Sequence, residues 1–341
     1  MAYPAHSLID EIRAATRGLN VFAARYLPSY ARGHALLNVI ACTGLFTCSF
    51  VSNAASQLHL AEESAYILPD SFPVTAMAAL DNGRIGLLSN RDYVLIAHRG
   101  SFAEVGVGVL RRPVGIGVNP KSGRVEVVDA QRREIVSLLP AEGVNHRRLT
   151  VPIAIGAAVR VTGGWYVGGS DGTEVRRVFY VPDDGRVRQV HSWSSARRPS
   201  GQPAARLSAL DDRVIITEAD SPFHSVIVDS AGRLVSRLEA PDPDDASIQP
   251  AQRERRWSSL PVLRAGFLFL QVVSDLASDT RLVMTYDESG TLLRVAEVGI
   301  PIGFGATIPE HSLLVGIRRF GPQEIVSYRW SWGARRSQLE Q

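Results

Sequence analysis

Thiols are almost absent from this chain of 341 residues: Cys42 and Cys48 are its two cysteines, and none follows them. Beyond Cys48, neither a disulfide framework nor cysteine chemistry can serve stability or activity. Lysine is scarcer still, Lys121 being the single example, so the basic side chains are arginines. A formal net charge of +3 is too slight to demand a polyanionic partner, and nucleic acid is not expected. No H-E-x-x-H or P-loop motif occurs, which removes the common signatures of zinc proteolysis and nucleotide binding. What is plentiful is apolar residue, 45% of the chain, enough for a large core.

Ala35 to Val51 is an apolar run preceded by Arg25, Arg32 and His34 and followed by Ser52-Asn53-Ala54-Ala55-Ser56. Small residues at that point suit signal-peptidase cleavage after Ala54, so export to the periplasm or the extracellular space is expected. Two alternatives stay open. Residues 35–51 could remain as a membrane anchor, although about 17 residues is short for a span. Val39-Ile40-Ala41-Cys42 also has the form of a lipobox, in which Cys42 would carry lipid. Residues 1–34 are long for the start of a signal, with Ser7 placed to cap a short amphipathic helix.

The rest of the chain is organised around Pro113 to Leu138. Val114, Ile116 and Val118 alternate with Gly115 and Gly117, a turn follows through Gly123, Val125 and Val127 alternate again, and Glu134 to Leu138 give a third strand. Such a meander has two faces to bury and needs neighbours of its own kind. They are present. Turn markers at residues 82, 121, 163, 211, 265 and 310 recur at the spacing of one four-stranded blade with variable loops. Asp-rich turns ending in glycine, at Asp183-Asp184-Gly185, Asp229 to Gly232 and Asp287 to Gly290, join third strands to fourth. The sixth repeat lacks a fourth strand, which Gln57 to Leu60 could supply.

The expected fold is thus all-β: a six-bladed propeller of four-stranded antiparallel blades, closed by an N-terminal strand and preceded by an export or anchor segment. The expected division is an N-terminal extension over 1–54, the propeller over 55–330 and a polar tail over 331–341.

Pro113-Val114-Gly115-Ile116-Gly117-Val118, the Gly123 turn, Val125 to Asp129 and Arg133-Glu134-Ile135 resemble the NHL repeat. The second blade carries that motif and the others its periodicity. The resemblance implies a six-bladed propeller of the exported bacterial type. Its members include extracellular lyases, sugar-lactone hydrolases and binding modules, so it implies fold and leaves activity open.

In such a propeller the loops between second and third strands share one face with the inter-blade connections, and that rim is where a ligand is expected. Asp129, Arg132, Asp171, Phe223 and Asp275 fall there. Two long connections, Ser194 to Ala204 and Ala240 to Leu260, flank the fourth blade, and each carries or adjoins a tryptophan, Trp193 and Trp257, beside arginines. An aromatic next to guanidinium groups suits an anionic or sugar-like ligand. These seven residues are the candidate ligand contacts.

For chemistry, His191, His224 and Glu218 are the candidates, because their loops belong to the same rim. No metal centre and no cofactor are expected. A ring of rim carboxylates holding Ca²⁺ is the alternative, set against Asp residues that cap their own turns. Gly168-Gly169 is expected at a strand end. The preferred reading is a monomeric binding protein for a small molecule, glycan or protein, with a hydrolase or lyase as runner-up.

Overall fold

The computed structural model describes residues 57–69, 72–139, 143–194, 205–218, 224–240, 257–259, 262–265, 268–275, 281–298, 302–308, 313–318 and 323–333. The compact unit Leu58–Trp332 is a ring of six antiparallel sheets. Blade one is Ala76–Ala79, Ile85–Leu88, Val94–His98 and Ser101–Val105; blade two is Pro113–Val118, Val125–Asp129, Glu134–Leu139 and Gly143–Arg148. Blade three is Ala154–Val161, Gly164–Ser170, Val175–Pro182 and Arg188–Ser194; blade four is Ala205–Leu210, Arg213–Glu218, Ser225–Val228 and Leu234–Arg237. In blade five the first strand comes as two pieces, Trp257–Ser259 and Leu263–Ala265, both paired with Leu268–Asp275, before Arg281–Tyr286 and Leu292–Val298. Blade six runs Ile302–Ile308, Leu313–Arg318, Glu324–Gly333, with Gln57–Ile67 as the fourth strand of that sheet.

Burial falls from the middle of a blade to its outer edge. Second strands are covered on both faces: Val125–Asp129 and Ile85–Leu88 are buried throughout. Fourth strands such as Leu234–Arg237 stay largely exposed. A strand buried on both sides can lose the apolar–polar alternation and read as an apolar run, as Ile85–Leu88 does, whereas Val125–Asp129 buries Glu126 and Asp129 among its valines.

Period two still decides which neighbour each residue meets. Val127 packs between blades one and two and Val128 between blades two and three. Trp165 faces blade two while Tyr166 faces blade four. Ile216 packs against blade three and Ile215 against blade five, whose Phe269 and Tyr286 complete that layer. Val315 and Ile325 of blade six share a cluster with Leu87 and Leu95 of blade one, so apolar packing carries round from the last blade to the first. Each large side chain buried in these layers contributes about 1.5–3 kcal/mol relative to exposure.

Asp capping fixes the turns. Asp229 Oδ1 accepts the backbone N–H groups of Ala231 and Arg233, each at 2.9 Å, and Asp287 Oδ1 those of Ser289 and Thr291 at 2.9 and 3.0 Å.

Two local expectations are corrected. Gly168 and Gly169 lie inside the strand Gly164–Ser170, and glycine is needed at 169 because a Cβ there would sit 2.0 Å from the Ala154 carbonyl oxygen of the adjoining strand. The stretch expected to connect blades four and five ends earlier than Leu260, since Trp257–Ser259 pair with Val273, Ser274 and Asp275.

Candidate functional site

The first strand of each blade lines an axial cavity of about 1080 Å³. At the turn-rich end its wall includes Asp81, Thr162, Asp211 and Arg264; at the loop-rich end it includes Thr75, Asn90, Arg112, Pro113 and Ala205. The charged lining is Arg112, Arg160, Arg206 and Arg264 against Asp81 and Asp211, so the wall is net cationic. Most of these charges are matched locally. Asp81 pairs with Arg84, Arg264 lies 3.1 Å from Asp211, and Arg112 donates to the Ile155 carbonyl.

Arg160 is the most heavily committed of the four. Its Nη1 and Nη2 donate to the two carboxylate oxygens of Asp183 at 2.6 and 2.8 Å, a bidentate pair whose side chains are 6% and 12% exposed. Glu126 Oε2 is 3.7 Å from Arg160 Nη1 and accepts the Trp165 indole N–H at 3.0 Å, while Asn119 Nδ2 donates to Oε1 at 2.9 Å. This buried network joins blades two and three at the turn-rich end. The Arg160 hydrogen bonds hold the Asp183 carboxyl below the ordinary carboxylate range, against the opposing effect of burial.

Blade four differs. Ala205 and Leu207 of its first strand pack into the layer shared with blade three, so Arg206 and Ser208 occupy the opposite side of the strand, towards blade five, where Leu210 also packs. Arg206 is partly buried, lines the cavity and, among the described residues, makes no hydrogen bond or ion pair. Burial, with no opposing charge, pushes its guanidinium below the ordinary arginine value. Ser208 is buried at 6% exposure, also lines the cavity, and among the described residues its Oγ has no hydrogen-bond partner. Ala205 opposes Glu218 across the sheet, which puts Arg206 near the loop-rich end.

The residues singled out from the sequence divide by location. Asp129 is fully buried, and its carboxylate accepts the backbone N–H groups of Arg111, Arg112, Gln131 and Arg132 at 2.6–3.4 Å, which makes it the cap of its own loop. Arg132 is exposed beside it. Asp171 is held by the Thr173 backbone N–H and hydroxyl and pairs with Arg177 at 2.8 Å; the Thr173 hydrogen bonds lower its carboxyl below the usual range. Trp257 and Asp275 are direct partners across neighbouring strands of blade five. Phe223 lies outside the described residues, as do most of the two long connections.

On the rim between blades three and four, His191 stacks on Trp193 with ring centroids 5.6 Å apart. His224 Nδ1 is 3.2 Å from Glu218 Oε1. Burial, then the positive fields of Arg237 and His224, keep the His191 imidazole below its ordinary value. The Trp193 indole N–H is buried and has no partner among the described residues. Among the described residues no group of three or more His, Cys, Asp or Glu is placed to hold a metal ion.

Arg160, Arg206, Ser208 and Glu126 were not legible as site residues. The available signal was a charged or hydroxyl residue interrupting a short, small-residue first strand, as in Ala154–Val161 and Ala205–Leu210.

Sheet number, blade topology and cavity define the class: the chain is a six-bladed β-propeller. No protein-family model matches it, so the NHL likeness rests on the motif of blade two, and no curated protein matches it either. Among solved structures it is similar to a "Putative exported protein" from Bacteroides fragilis NCTC 9343, with 10% identity over 81% of this chain and 95% of that one and a TM-score of 0.52. The RRP9 WD40 repeats match at 11% identity, over 76% of this chain and 80% of theirs, with a TM-score of 0.52. The virginiamycin B lyase from Staphylococcus aureus matches at 12% identity, over 80% and 99%, with a TM-score of 0.47. Identities of this size speak for the fold alone. Among the described residues no helix is long and apolar enough to cross a membrane.

Proposed function

We propose that the protein is an exported binding propeller that admits a small molecule to its axial channel from the loop-rich face. The observation that carries the reading is the channel itself, about 1080 Å³ with a cationic wall of first-strand side chains. That volume is of the order that holds a drug-sized ligand. Asp129 and Asp171 belong to the supporting loops in this reading, while Arg132, Trp193, Trp257 and Asp275 belong to the surrounding rim. The protein acts as a monomer and needs no cofactor.

Ala209 is exposed and lines the channel, so Ala209→Trp should fill the space without touching the blade cores. In a thermal-shift panel of organic acids, sugars and their neutral analogues, at least one compound should raise the wild-type melting temperature and leave Ala209→Trp unmoved. A panel in which no compound separates the two proteins counts against the channel.

Export is supported by the run Ala35 to Val51 and the small residues after it, and by the name of the Bacteroides fragilis fold neighbour. The intact mass of the mature protein should begin at Ala55; a mass that includes Met1 would sink cleavage and favour the anchor. The proposal also makes Gln57–Ile67 the clasp of the ring. It is supported by Glu62 with Arg318 at 3.0 Å, Glu63 with Arg329 at 3.1 Å, and the Ser64–Ser327 hydroxyl pair at 2.5 Å.

A second reading, a propeller hydrolase or lyase, is favoured by the rim group in which the His224–Glu218 contact lies within electrostatic reach of the His191–Trp193 stack. It requires substrate at that rim and not in the channel.

A further inference from the structure

We propose that Arg206 and Ser208 form an oxyanion-binding subsite in the channel wall, which receives the carboxylate or phosphate of a small organic ligand. This inference rests on the channel being the binding site and names the chemistry of what binds there.

An arginine guanidinium is a planar fork of N–H donors that matches two oxygens of a carboxylate or phosphate. Arg160 has found such a partner within the protein; Arg206 has found none among the described residues. A buried hydroxyl normally has a partner too, and Ser208 Oγ has none among the described residues. Both lie on one side of one strand, two residues apart, so their side chains lean the same way. Both line the same cavity, whose other arginines are already matched.

Their facing neighbour is blade five, whose first strand is described as the pieces Trp257–Ser259 and Leu263–Ala265. No charge belonging to Asp81 or Asp211 offsets Arg206, since those carboxylates pair with Arg84 and Arg264 at the turn-rich end. Among the described residues neither the Arg206 guanidinium nor the Ser208 hydroxyl has a hydrogen-bond acceptor, and both line the same cavity. An anion supplies the acceptors.

The test compares wild type, Arg206→Gln, Ser208→Ala and Ala209→Trp by calorimetric titration and thermal shift, at constant ionic strength in chloride. The probes are acetate, succinate, benzoate and inorganic phosphate, with succinamide and benzamide as neutral counterparts. Wild type should bind at least one oxyanion and bind its neutral counterpart at least ten-fold more weakly. Arg206→Gln should lose about 10- to 100-fold in that affinity and Ser208→Ala about 3- to 10-fold, the ranges expected for a charged and a neutral hydrogen bond. Carboxylates and phosphate in separate arms identify which oxyanion the subsite prefers.

Without ligand, Arg206→Gln should melt at the wild-type temperature or a few degrees above it, because it removes a partly buried charge that lacks a counter-charge. A structural arginine would instead give a clear loss. Binding of amides as tight as that of acids, abolished by Ala209→Trp but unaffected by Arg206→Gln, would overturn the subsite and leave the channel standing. No binding by any probe, with Ala209→Trp indistinguishable from wild type, would overturn both.

Discussion

Replacing Arg160 by methionine should lower the melting temperature by roughly 6 to 15 °C, the largest effect expected of any single side chain lining the channel. Breaking a buried ion pair from one side costs about 3–5 kcal/mol, since the surviving charge keeps its desolvation penalty and loses its compensation. Here two carboxylates survive. Asp183 loses both of its bidentate donors, and Glu126, 8% exposed, loses the nearest positive charge while keeping Trp165 and Asn119. Arg160→Lys should recover only part of the loss, because an ammonium cannot offer two parallel N–H groups.

The pH dependence has a definite sign. Asp183 is held below its reference value of 3.8 in the folded protein, so the stabilisation that it shares with Arg160 is complete above that value. It disappears as pH falls through the lower, folded value. The gap between wild type and Arg160→Met, measured by thermal melts, should therefore be constant near neutrality and narrow progressively below about pH 4. A gap that is the same at pH 3 and pH 7 would show that Arg160 acts through packing over Trp165, whose ring lies 5.8 Å from the guanidinium carbon, and not through charge.

The second large effect concerns the glycines of Pro113–Val118. A Cβ on Gly115 would lie 2.5 Å from the Ala158 carbonyl oxygen, and one on Gly117 would lie 2.3 Å from Arg160 Cβ. Neither obstacle is the movable end of a long side chain, so the first strands of blades two and three would have to part. Gly117→Val should cost about 2–4 kcal/mol, in the upper range for overpacking. Gly168→Ala is the control, because the nearest atom to its Cβ is 3.4 Å away on a leucine methyl, and it should be close to neutral. The two large predictions are coupled. Pushing on Arg160 Cβ also disturbs its grip on Asp183, so Gly117→Val should cost less in an Arg160→Met background than in wild type. Equal costs in the two backgrounds would mean that the glycine serves its own strand alone.

Much of the fold was readable because turns and second strands carry their own chemistry. Asp with a following glycine marked the hairpins at Asp229 and Asp287, and the continuous apolar runs at Ile85–Leu88 and Val214–Ile216 marked strands covered on both faces. The same pattern hid what the glycines of Pro113–Val118 are for. Sequence alone shows them as motif positions, whereas their role depends on a strand more than forty residues away.

The site was less legible. Loops are visible in sequence and point to the rim, but Asp129 and Asp171 bond the backbones of their own loops. The channel wall is made of short strands whose side chains face neighbouring blades or the axis according to packing, so Arg206 and Ser208 gave no local sign of lining one cavity. What distinguishes them is the lack of a partner, and that can be seen only when every neighbour is in place.

The most direct measurement is a crystal structure of the full chain grown or soaked with the oxyanion that binds best in titration. The account places its carboxylate or phosphate group in the axial channel, within hydrogen-bond distance of the Arg206 guanidinium and Ser208 Oγ. Ligand density confined to the rim beside His191 and His224, with Arg206 and Ser208 bridged by water alone, would contradict it.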